Sequence, residues 1–442
     1  MMMMMIKRVL VFLLMMTSHT AFGGMVDNYG TGSKATALGG AFSAKADDPF
    51  AVYYNPAGLA GIEKTMISAG ALVVSPDMTV SDFTVQGGIS AQDPRLQVPS
   101  EFANKTKSLV SPHLGFAMPV NDRFVFGVAA YAPYGMEIEW QEDLATTPGG
   151  YNSFNSYYVR EVITPSLAYK FSDRVSIGAG VSLGRSKTGN DCFGASFGGL
   201  RNEAALKDDF NYSFNLGIMV APVDRLTLGL TYRGRTATDF EGDLTVAGMG
   251  TVARVELEYD HPEQVQAGIC YVAGKNKTLS LEVDVVWTNW SINQSQAQRL
   301  TFAEGIYQAV HLPKTWDDTV PRNWEDTTQF RFGAEWQALD CLALRLGYFY
   351  DPTPVPDTSM DFIWPDADKH TWSWGAGYAF GNYTLDSVFS YSRTDGKRYI
   401  DGTSDSLNHS YNNPMNPSDP ALVSFNAEGE VWSYGMTLSY RF

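Results

Sequence analysis

The sequence is short of charge, of cysteine and of long apolar runs. Charged residues make up 18% of its 442 residues, against about 25% in soluble domains. The three cysteines, Cys192, Cys270 and Cys341, are widely spaced and show neither metal-ligand spacing nor a disulfide framework. After residue 23 no apolar run reaches the roughly 20 residues of a membrane helix. A mature chain that enters a membrane must therefore do so as a closed barrel.

The N-terminus has the pattern of a secretory signal. Lys7 and Arg8 precede the apolar run VLVFLLMM, and Ala21-Phe22-Gly23 offers small residues for cleavage. We predict a signal peptide over residues 1–23, cleaved after Gly23. Because no cysteine follows that site, a lipoprotein is not expected.

Aromatic residues are abundant, and they alternate with small polar ones. They make up 13% of the chain, and the final stretch 431-VWSYGMTLSYRF-442 shows their arrangement. Its large apolar residues share one face by period two, and Ser433, Gly435, Thr437 and Ser439 share the other. A lipid-facing strand needs apolar residues outward and small polar residues inward. A terminal Phe442 resembles the assembly signal of bacterial outer-membrane proteins.

The same alternation recurs along the chain, and its connections alternate between short and long. Short connections include Asn121-Asp122, Ser172-Asp173 and Leu339-Asp340. Long polar connections cover about 75–107, 136–156, 187–208, 292–324, 352–369 and 394–428. Short turns at one end and long loops at the other are typical of outer-membrane barrels. The prediction is an all-β, transmembrane antiparallel β-barrel of about 14 strands between residue 65 and the end.

Three longer motifs occur in order along the chain. They are 38-LGGAFSAKADDPFAVYYNPAGLAG-61, 225-RLTLGLTYRGRTATDFEGDL-244, and 348-YFYDPTPVPD-357 followed by 364-WPDADKHTWSWGAGYAF-380. Together they resemble the FadL family, outer-membrane transporters of long-chain fatty acids and other hydrophobic compounds. The resemblance covers essentially the whole mature chain apart from the loops.

The resemblance implies a fourteen-stranded barrel whose lumen is closed by a small N-terminal hatch. It implies that residues 24–62 form this hatch, or plug, and that residues 63–442 form the barrel. Proline removes a backbone donor and restricts the residue before it. By the physics of the sequence alone, the break at Asn55, Pro56, Ala57 and Gly58 is an ordinary turn before a strand. The resemblance makes it the sharp turn of the hatch.

A second break falls in the third strand, 123-RFVFGVAAYAPYG-135. Proline cannot donate to a ladder and glycine weakens one, so Pro133, Tyr134 and Gly135 end or distort the strand. Its ending at a loop is the simple interpretation. The resemblance implies an inward kink that leaves a side opening in the wall.

A fatty-acid carboxylate would need a cation that faces the lumen. Strand parity offers Arg233, Arg235, Arg331 and Arg345. If strands ten and eleven pair around Leu339-Asp340, Arg345 lies opposite Glu335 and is a structural ion-pair partner. Arg331 is then the first choice for the carboxylate, with Asp284 as a competitor for its charge.

Two inward aromatic residues, Tyr131 and Phe349, are predicted to form an apolar pocket with the hatch. The lysine that the FadL family carries near Arg331 is not matched, and the local residue is Glu325. That departure leaves uncharged hydrophobic substrates open beside fatty acids.

The predicted function is passive outer-membrane transport of long-chain fatty acids or other hydrophobic compounds in a Gram-negative bacterium. The alternatives are a general porin and a structural or adhesin barrel. No Ser/His/Asp set stands out, so the chain is not predicted to be an enzyme, and no cofactor or metal is expected. The expected partners are hydrophobic ligands, outer-membrane lipid and the barrel assembly machinery. The net charge of −16 argues against nucleic acid.

Overall fold

The computed structural model describes residues 30–194, 199–274, 276, 278–310, 313–363, 365–413 and 416–442. The predicted signal peptide and the first residues of the predicted hatch, 24–29, lie outside the described residues. The helices of the described residues are short, and none has the length and apolar content needed to cross a bilayer.

Strands dominate the chain after residue 65. In order they are β1 Met66–Gln86, β2 Ser100–Ala103, β3 Leu109–Pro119, β4 Phe124–Glu139, β5 Asn155–Ser172, β6 Val175–Gly194, β7 Leu200–Val223, β8 Leu226–Arg233, β9 Thr236–Val246, β10 Gly250–His261, β11 Gln264–Ala273, β12 Leu279–Thr288, β13 Ser295–Phe302, β14 Thr315–Pro321, β15 Thr327–Leu339, β16 Leu342–Asp351, β17 Lys369–Phe380, β18 Tyr383–Thr394, β19 Arg398–Asp401 and β20 Leu422–Arg441.

Helices are few among the described residues. The α-helices are α1 Ser33–Ala37, α2 Ala51–Tyr54, α3 Glu304–Val310 and α4 Asp405–Tyr411; the 3-10 helices are Pro56–Gly61, Gly88–Ala91, Pro94–Gln97, Pro148–Tyr151, Trp290–Ile292 and Asp357–Ser359.

The strands close into a barrel of 14 antiparallel strands. Around the wall the order is β1, β3, β4, β5, β6, β7, β8, β11, β12, β15, β16, β17, β18 and β20. The ladder between β20 and β1, from Arg441↔Met66 to Leu422↔Gln86, completes the ring. The predicted strand number and antiparallel topology are confirmed.

The alternation along each strand separates the two faces of the wall. In β20 the side chains of Trp432, Tyr434, Met436 and Leu438 are exposed on the outside, whereas Ser433, Thr437 and Ser439 are buried. Outward apolar residues recur on the other strands, and they form the surface that lipid would contact.

The two ends of the barrel differ as the connections predict. Turns of two to five residues join β3 to β4, β5 to β6, β7 to β8, β11 to β12, β15 to β16 and β17 to β18; we call this the short-turn end. The opposite end, the long-loop end, carries β9, β10, β13 and β14, which extend the sheet from β7.

Several stretches predicted as loops are strands. β1 continues to Gln86, β6 to Gly194, and the predicted loop 292–324 contains β13, α3 and β14. The prediction was wrong there because it searched for large apolar residues on alternate positions. The outward residues of these extensions are polar, as Glu256 and Arg299 are in β10 and β13, so that alternation is lost.

An apolar core fills the long-loop end. It joins side chains from the loops and from the upper strands, among them Phe83, Trp140, Trp290, Trp324 and Phe362. The long loops are thus packed against one another and against the ends of the strands.

The core also contains a buried ion pair. Arg322 lies 3.4 Å from the Asp361 carboxylate and donates to Gln296 Oε1 at 2.9 Å. Burial lowers the pKa of Arg322 to about 10, and the neighbouring Asp361 opposes that shift. Arg322 therefore stays charged at neutral pH, and its contact with Asp361 ties the end of β14 to the loop that carries Asp361.

Candidate functional site: the lumen and a gap in the wall

Residues 30–62, called the N-terminal segment below, form α1, α2 and the 3-10 helix Pro56–Gly61. α1 contacts β16, β17, β18, β20 and β1, whereas the 3-10 helix contacts β4, β5, β6 and β7. In the ring, β8, β11, β12 and β15 separate these two groups of strands on one side, and β3 separates them on the other. The N-terminal segment thus contacts inward-facing residues on two sides of the wall.

The break predicted at Asn55 and Pro56 ends α2 and starts the 3-10 helix. Asn55 is extended, its Oδ1 accepts a hydrogen bond from the Ala57 N–H at 3.1 Å, and Pro56 is the first residue of the helix. The Asn55 side-chain amide also donates to the carbonyls of Ser43 at 2.7 Å and Ile218 at 3.2 Å. This asparagine is therefore both a helix cap and a tie to the wall strand β7.

Glycine allows the close approaches around this turn. A Cβ at Gly58 would lie 2.2 Å from the carbonyl oxygen of Ala46. On the wall, a Cβ at Gly178 would lie 2.3 Å from the carbonyl carbon of Pro56. Both positions need a residue without a side chain because backbone atoms cannot yield as a flexible side chain does.

Two carboxylates on β12 hold the next part of the N-terminal segment. Asp284 Oδ2 accepts hydrogen bonds from the backbone N–H groups of Phe42 at 3.2 Å and Ser43 at 3.0 Å. Glu282 Oε1 accepts from the Ala44 N–H at 2.7 Å. Both carboxylates are buried, with 0% and 3% of their surface exposed. Three consecutive backbone N–H groups thus converge on two buried carboxyl groups, which hold this part of the segment against β12.

Ser43, one of the residues held by these carboxyl groups, also lies close to the inner face of β8 and β11. A Cβ at Gly229 in β8 would lie 2.2 Å from the Ser43 carbonyl oxygen. A Cβ at Gly268 in β11 would lie 2.1 Å from Asp284 Oδ1 and 2.2 Å from Ser43 Oγ. The wall is thus shaped to receive this part of the segment.

Arg345 belongs to a chain of ion pairs, as its predicted register requires. Glu335 and Arg345 lie opposite each other in the β15–β16 ladder, and their side chains are 2.6 Å apart. Arg345 also contacts Asp386 at 2.6 Å, and Lys45 of the N-terminal segment contacts Glu335 at 2.7 Å. With two carboxylates beside it, Arg345 is a structural residue in this arrangement.

Arg331 lies on the lumen side beside the N-terminal segment. Its guanidinium donates to Gln329 Oε1 at 3.2 and 2.5 Å and to the Gly40 carbonyl at 3.5 Å. It also lies over the ring of Phe349, with 5.6 Å from the guanidinium carbon to the ring centroid. Asp284 faces Arg331 in the ladder, but the hydrogen bonds of its Oδ2 go to the N-terminal segment and to Gln266.

Arg233 and Tyr131 both contact Tyr53 of the N-terminal segment. The Arg233 guanidinium lies over the Tyr53 ring at 4.2 Å, and the Tyr131 ring meets the same tyrosine edge-on at 5.3 Å. The hydroxyl of Tyr131 is hydrogen-bonded to Thr164 Oγ1 at 3.1 Å. Tyr131 lines the cavity described next, whereas Phe349 lies under Arg331.

The wall has a gap between β3 and β4. Their ladder runs only from Pro119↔Val125 to Leu114↔Ala130. Beyond it β3 continues to Leu109 along β1, and β4 continues to Glu139 along β5. At the long-loop end the connection between β2 and β3 closes the gap, because the Lys105 N–H donates to the Glu139 carbonyl of β4 at 2.7 Å. The gap is therefore a bounded window in the wall.

A cavity of about 610 Å³ occupies this window. It is lined mainly by apolar side chains of β3, β4 and β5, including Val110, Pro112, Leu114, Met136 and Val162. Tyr131 and His113 contribute from the lumen face. The cavity thus connects the lumen side of the wall with its lipid-facing side, and it is apolar enough for a hydrophobic molecule.

The second predicted break lies at this gap. The ladder of β4 with β5 changes register between Tyr131 and Tyr134, around Pro133. Pro133 and Tyr134 are buried, whereas Gly135 is exposed and lines the cavity. The irregularity is a β-bulge, which reorients the side chains that follow it.

Two residues that sequence reasoning missed lie in the lumen at the level of the gap. Arg160 in β5 is 3% exposed; its Nε donates to Asn211 Oδ1 at 2.8 Å, and its Nη2 has no hydrogen-bond partner among the described residues. His261, the last residue of β10, is 1% exposed and stacks on Tyr134. The sequence could have predicted an inward Arg160 only from its alternation with Tyr158 and Val162 along β5. It gave no indication for His261, because β10 was not recognised as a strand.

Clusters of His, Cys, Asp and Glu able to hold a metal ion are absent from the part of the chain that the structure describes. The free cysteines Cys192 and Cys270 are buried, and Cys341 is half-buried at the short-turn end.

Comparisons with known proteins agree with the geometry. Residues 12–442 match the family model described as outer membrane protein transport protein (OMPP1/FadL/TodX). A long-chain fatty acid transport protein of Escherichia coli O6:H1 is 23% identical, over 92% of this chain and 92% of its own length. Outer membrane protein P1 of Haemophilus influenzae is 21% identical, over 90% of this chain and 91% of its own length.

Solved structures share the fold. A Pseudomonas aeruginosa FadL homologue superposes with a TM-score of 0.75 at 19% identity, covering 93% of this chain and 98% of the other. The Pseudomonas putida toluene transporter TodX gives 0.67 at 15% identity, covering 94% and 99%.

Proposed function

Because the chain belongs to the OMPP1/FadL/TodX family of outer membrane transport proteins, we propose that it carries long-chain fatty acids or other hydrophobic compounds across the outer membrane by passive diffusion. The observation that carries this proposal is the apolar cavity in the gap between β3 and β4. A hydrophobic molecule that reaches the lumen has there a route sideways into the lipid. It therefore need not travel along the polar interior of the barrel to reach the periplasm.

The N-terminal segment acts as a hatch in this proposal. Its contacts with strands on two sides of the wall, and its seat on Asp284 and Glu282, support a closed lumen. The relatives include proteins named for long-chain fatty acid transport and for toluene transport, so both anionic and neutral hydrophobic molecules are candidate substrates here.

Lipid and assembly factors are the further partners of this proposal. The outward apolar residues contact outer-membrane lipid. The C-terminal strand ends at an exposed Phe442, whose N–H donates to the Thr65 carbonyl at 3.0 Å. We assign this end to recognition by the barrel assembly machinery.

Ion conductance separates this proposal from its alternatives. A closed, hatch-filled barrel in a planar bilayer should pass little steady current, whereas a general porin passes a stable one. A structural or adhesin barrel would also be silent, but it would not increase the uptake of a hydrophobic solute by cells. We therefore expect low current together with raised uptake. A stable current, or uptake no higher than in cells lacking the protein, would overturn the proposal.

The proposed topology places the short turns in the periplasm and the long loops outside. A cysteine introduced at the exposed Ser418 should react with a membrane-impermeant maleimide on intact cells. The native Cys341, at a short turn, should react only after the outer membrane is permeabilised. Labelling of Cys341 on intact cells would invert the topology.

Arg160 is the residue that we expect to bind the carboxylate of an anionic substrate. A buried guanidinium without a carboxylate partner is costly, and Arg160 has no carboxylate within ion-pair distance among the described residues. An incoming carboxylate would satisfy its Nη2. Arg331, by contrast, already donates to Gln329 and to the hatch.

Replacing Arg160 with Met should lower the affinity for a long-chain fatty acid about 10-fold or more, consistent with roughly 1.5–3 kcal/mol for a charged hydrogen bond. Binding of a neutral alkane of similar length should barely change. Arg331→Ala is the parallel variant, and a fatty-acid-specific loss there instead would place the carboxylate at Arg331. Equal losses of affinity for the fatty acid and the alkane would mean that the substituted arginine stabilises the barrel wall and does not bind the carboxylate.

Tryptophan fluorescence titration of the refolded protein measures all of these affinities.

A further inference from the structure

The bulge in β4 brings Tyr134 into the lumen. Before the bulge the inward residues of β4 are Val125, Ala129 and Tyr131, all at odd positions. The register shift between Tyr131 and Tyr134 changes this parity, so that Tyr134 and Met136 are buried instead. Tyr134 is therefore placed by the distortion, on the lumen side of the gap.

The Tyr134 ring contacts a histidine of β10, a strand at the long-loop end that is not part of the fourteen-strand ring. His261 ends β10, and its imidazole is stacked on the Tyr134 ring with 4.0 Å between centroids and 7° between planes. Tyr158 of β5 meets the same imidazole edge-on at 5.2 Å, and its hydroxyl is hydrogen-bonded to His261 Nε2. His261 therefore contacts both strands that border the bulge.

This aromatic group adjoins the cavity in the wall. Tyr131, Gly135 and Tyr158 all line the cavity, and Tyr134 lies between the first two in the chain. Met136, which shares the buried face of β4 with Tyr134, also lines the cavity. The Tyr134 ring thus has two places to pack: against the His261 imidazole in the lumen, or in the apolar cavity in the wall.

We propose that His261 is a positioning residue that keeps the Tyr134 ring stacked in the lumen and out of the exit gap. The inference rests on the proposed lateral exit. Without the imidazole, burial of the ring in the apolar cavity is favoured, because removing aromatic surface from water is favourable. The ring then occupies the volume through which a substrate leaves. His261 acts through Tyr134 and need not touch the substrate.

The experiment is a double-mutant comparison of hydrophobic-solute uptake. Cells expressing His261→Ala should take up a neutral polycyclic fluorophore about 2- to 10-fold more slowly than wild type, the range expected for the loss of one aromatic pair. The double variant His261→Ala with Tyr134→Ala should recover to near the wild-type rate, because the blocking ring is gone. His261→Phe, which keeps a stacking ring, should stay close to wild type.

Recovery by the second substitution is the decisive readout. A merely structural role of His261 predicts that the double variant is as slow as the single one or slower, and that result would overturn the proposal. So would an unchanged rate in His261→Ala. Heat-modifiable mobility on electrophoresis verifies that each variant forms a barrel. Failure of the lateral exit itself would be recognised separately, since filling the gap at Gly135 would then leave uptake unchanged.

Discussion

Deletion of residues 24–62 is expected to produce a barrel that still inserts into membranes but conducts ions steadily. The fourteen-strand ring closes through β1 and β20, and neither strand includes the deleted residues. The lumen face that the deletion uncovers is rich in small polar side chains, such as Ser433, Thr437 and Ser439, so water can fill it. Single-channel recording in planar bilayers should change from little steady current to a stable open level.

Two point variants serve as controls for this deletion, because only one of them disturbs the contact between the N-terminal segment and the wall. Gly229→Ala introduces a Cβ that would lie 2.2 Å from the Ser43 carbonyl oxygen, whereas Gly61→Ala meets nothing within 4 Å. The first variant should show frequent openings, and the second should behave as wild type. A deletion variant that remains silent, although correctly inserted, would remove the N-terminal segment from the account of closure.

The features that the sequence predicted well are those set by local periodicity. Outward apolar residues at every second position, such as Trp432 and Tyr434, and turns of a few residues define a barrel wall without any tertiary information. The pairing of Glu335 with Arg345 followed from one short turn, because register in a hairpin is fixed by its connection.

The features that the sequence could not predict depend on contacts between distant segments. Asp284 was considered a partner of Arg331, but its Oδ2 accepts backbone N–H groups from Phe42 and Ser43. Such acceptor roles leave no pattern in a sequence. The position of Tyr134 depends on a parity change at the bulge, and its stacking partner His261 comes from β10, more than a hundred residues later.

The predicted pocket shows the same limit. Tyr131 and Phe349 both face inward, as parity required, yet one lies at the gap in the wall and the other under Arg331. Strand parity predicts which face of the wall a side chain occupies. It does not predict where around the barrel the side chain lies, or at what depth it meets the N-terminal segment.

Filling the gap between β3 and β4 is expected to abolish transport while leaving the barrel and the N-terminal segment intact. Gly135 lines the cavity, and a side chain there has room, with the nearest atom 4.0 Å from an added Cβ. Gly135→Trp would place an indole in a cavity of about 610 Å³ without displacing backbone. The matched control is Val181→Trp on the lipid-facing side of β6, where Val181 is exposed.

Uptake of a neutral hydrophobic fluorophore by cells that express each variant, at equal amounts of folded barrel, tests lateral exit most directly. The account predicts that Gly135→Trp reduces uptake to the level of cells lacking the protein, while Val181→Trp retains the wild-type rate and both variants remain silent in conductance. Wild-type uptake by Gly135→Trp would contradict the account, because the solute would then leave by another route.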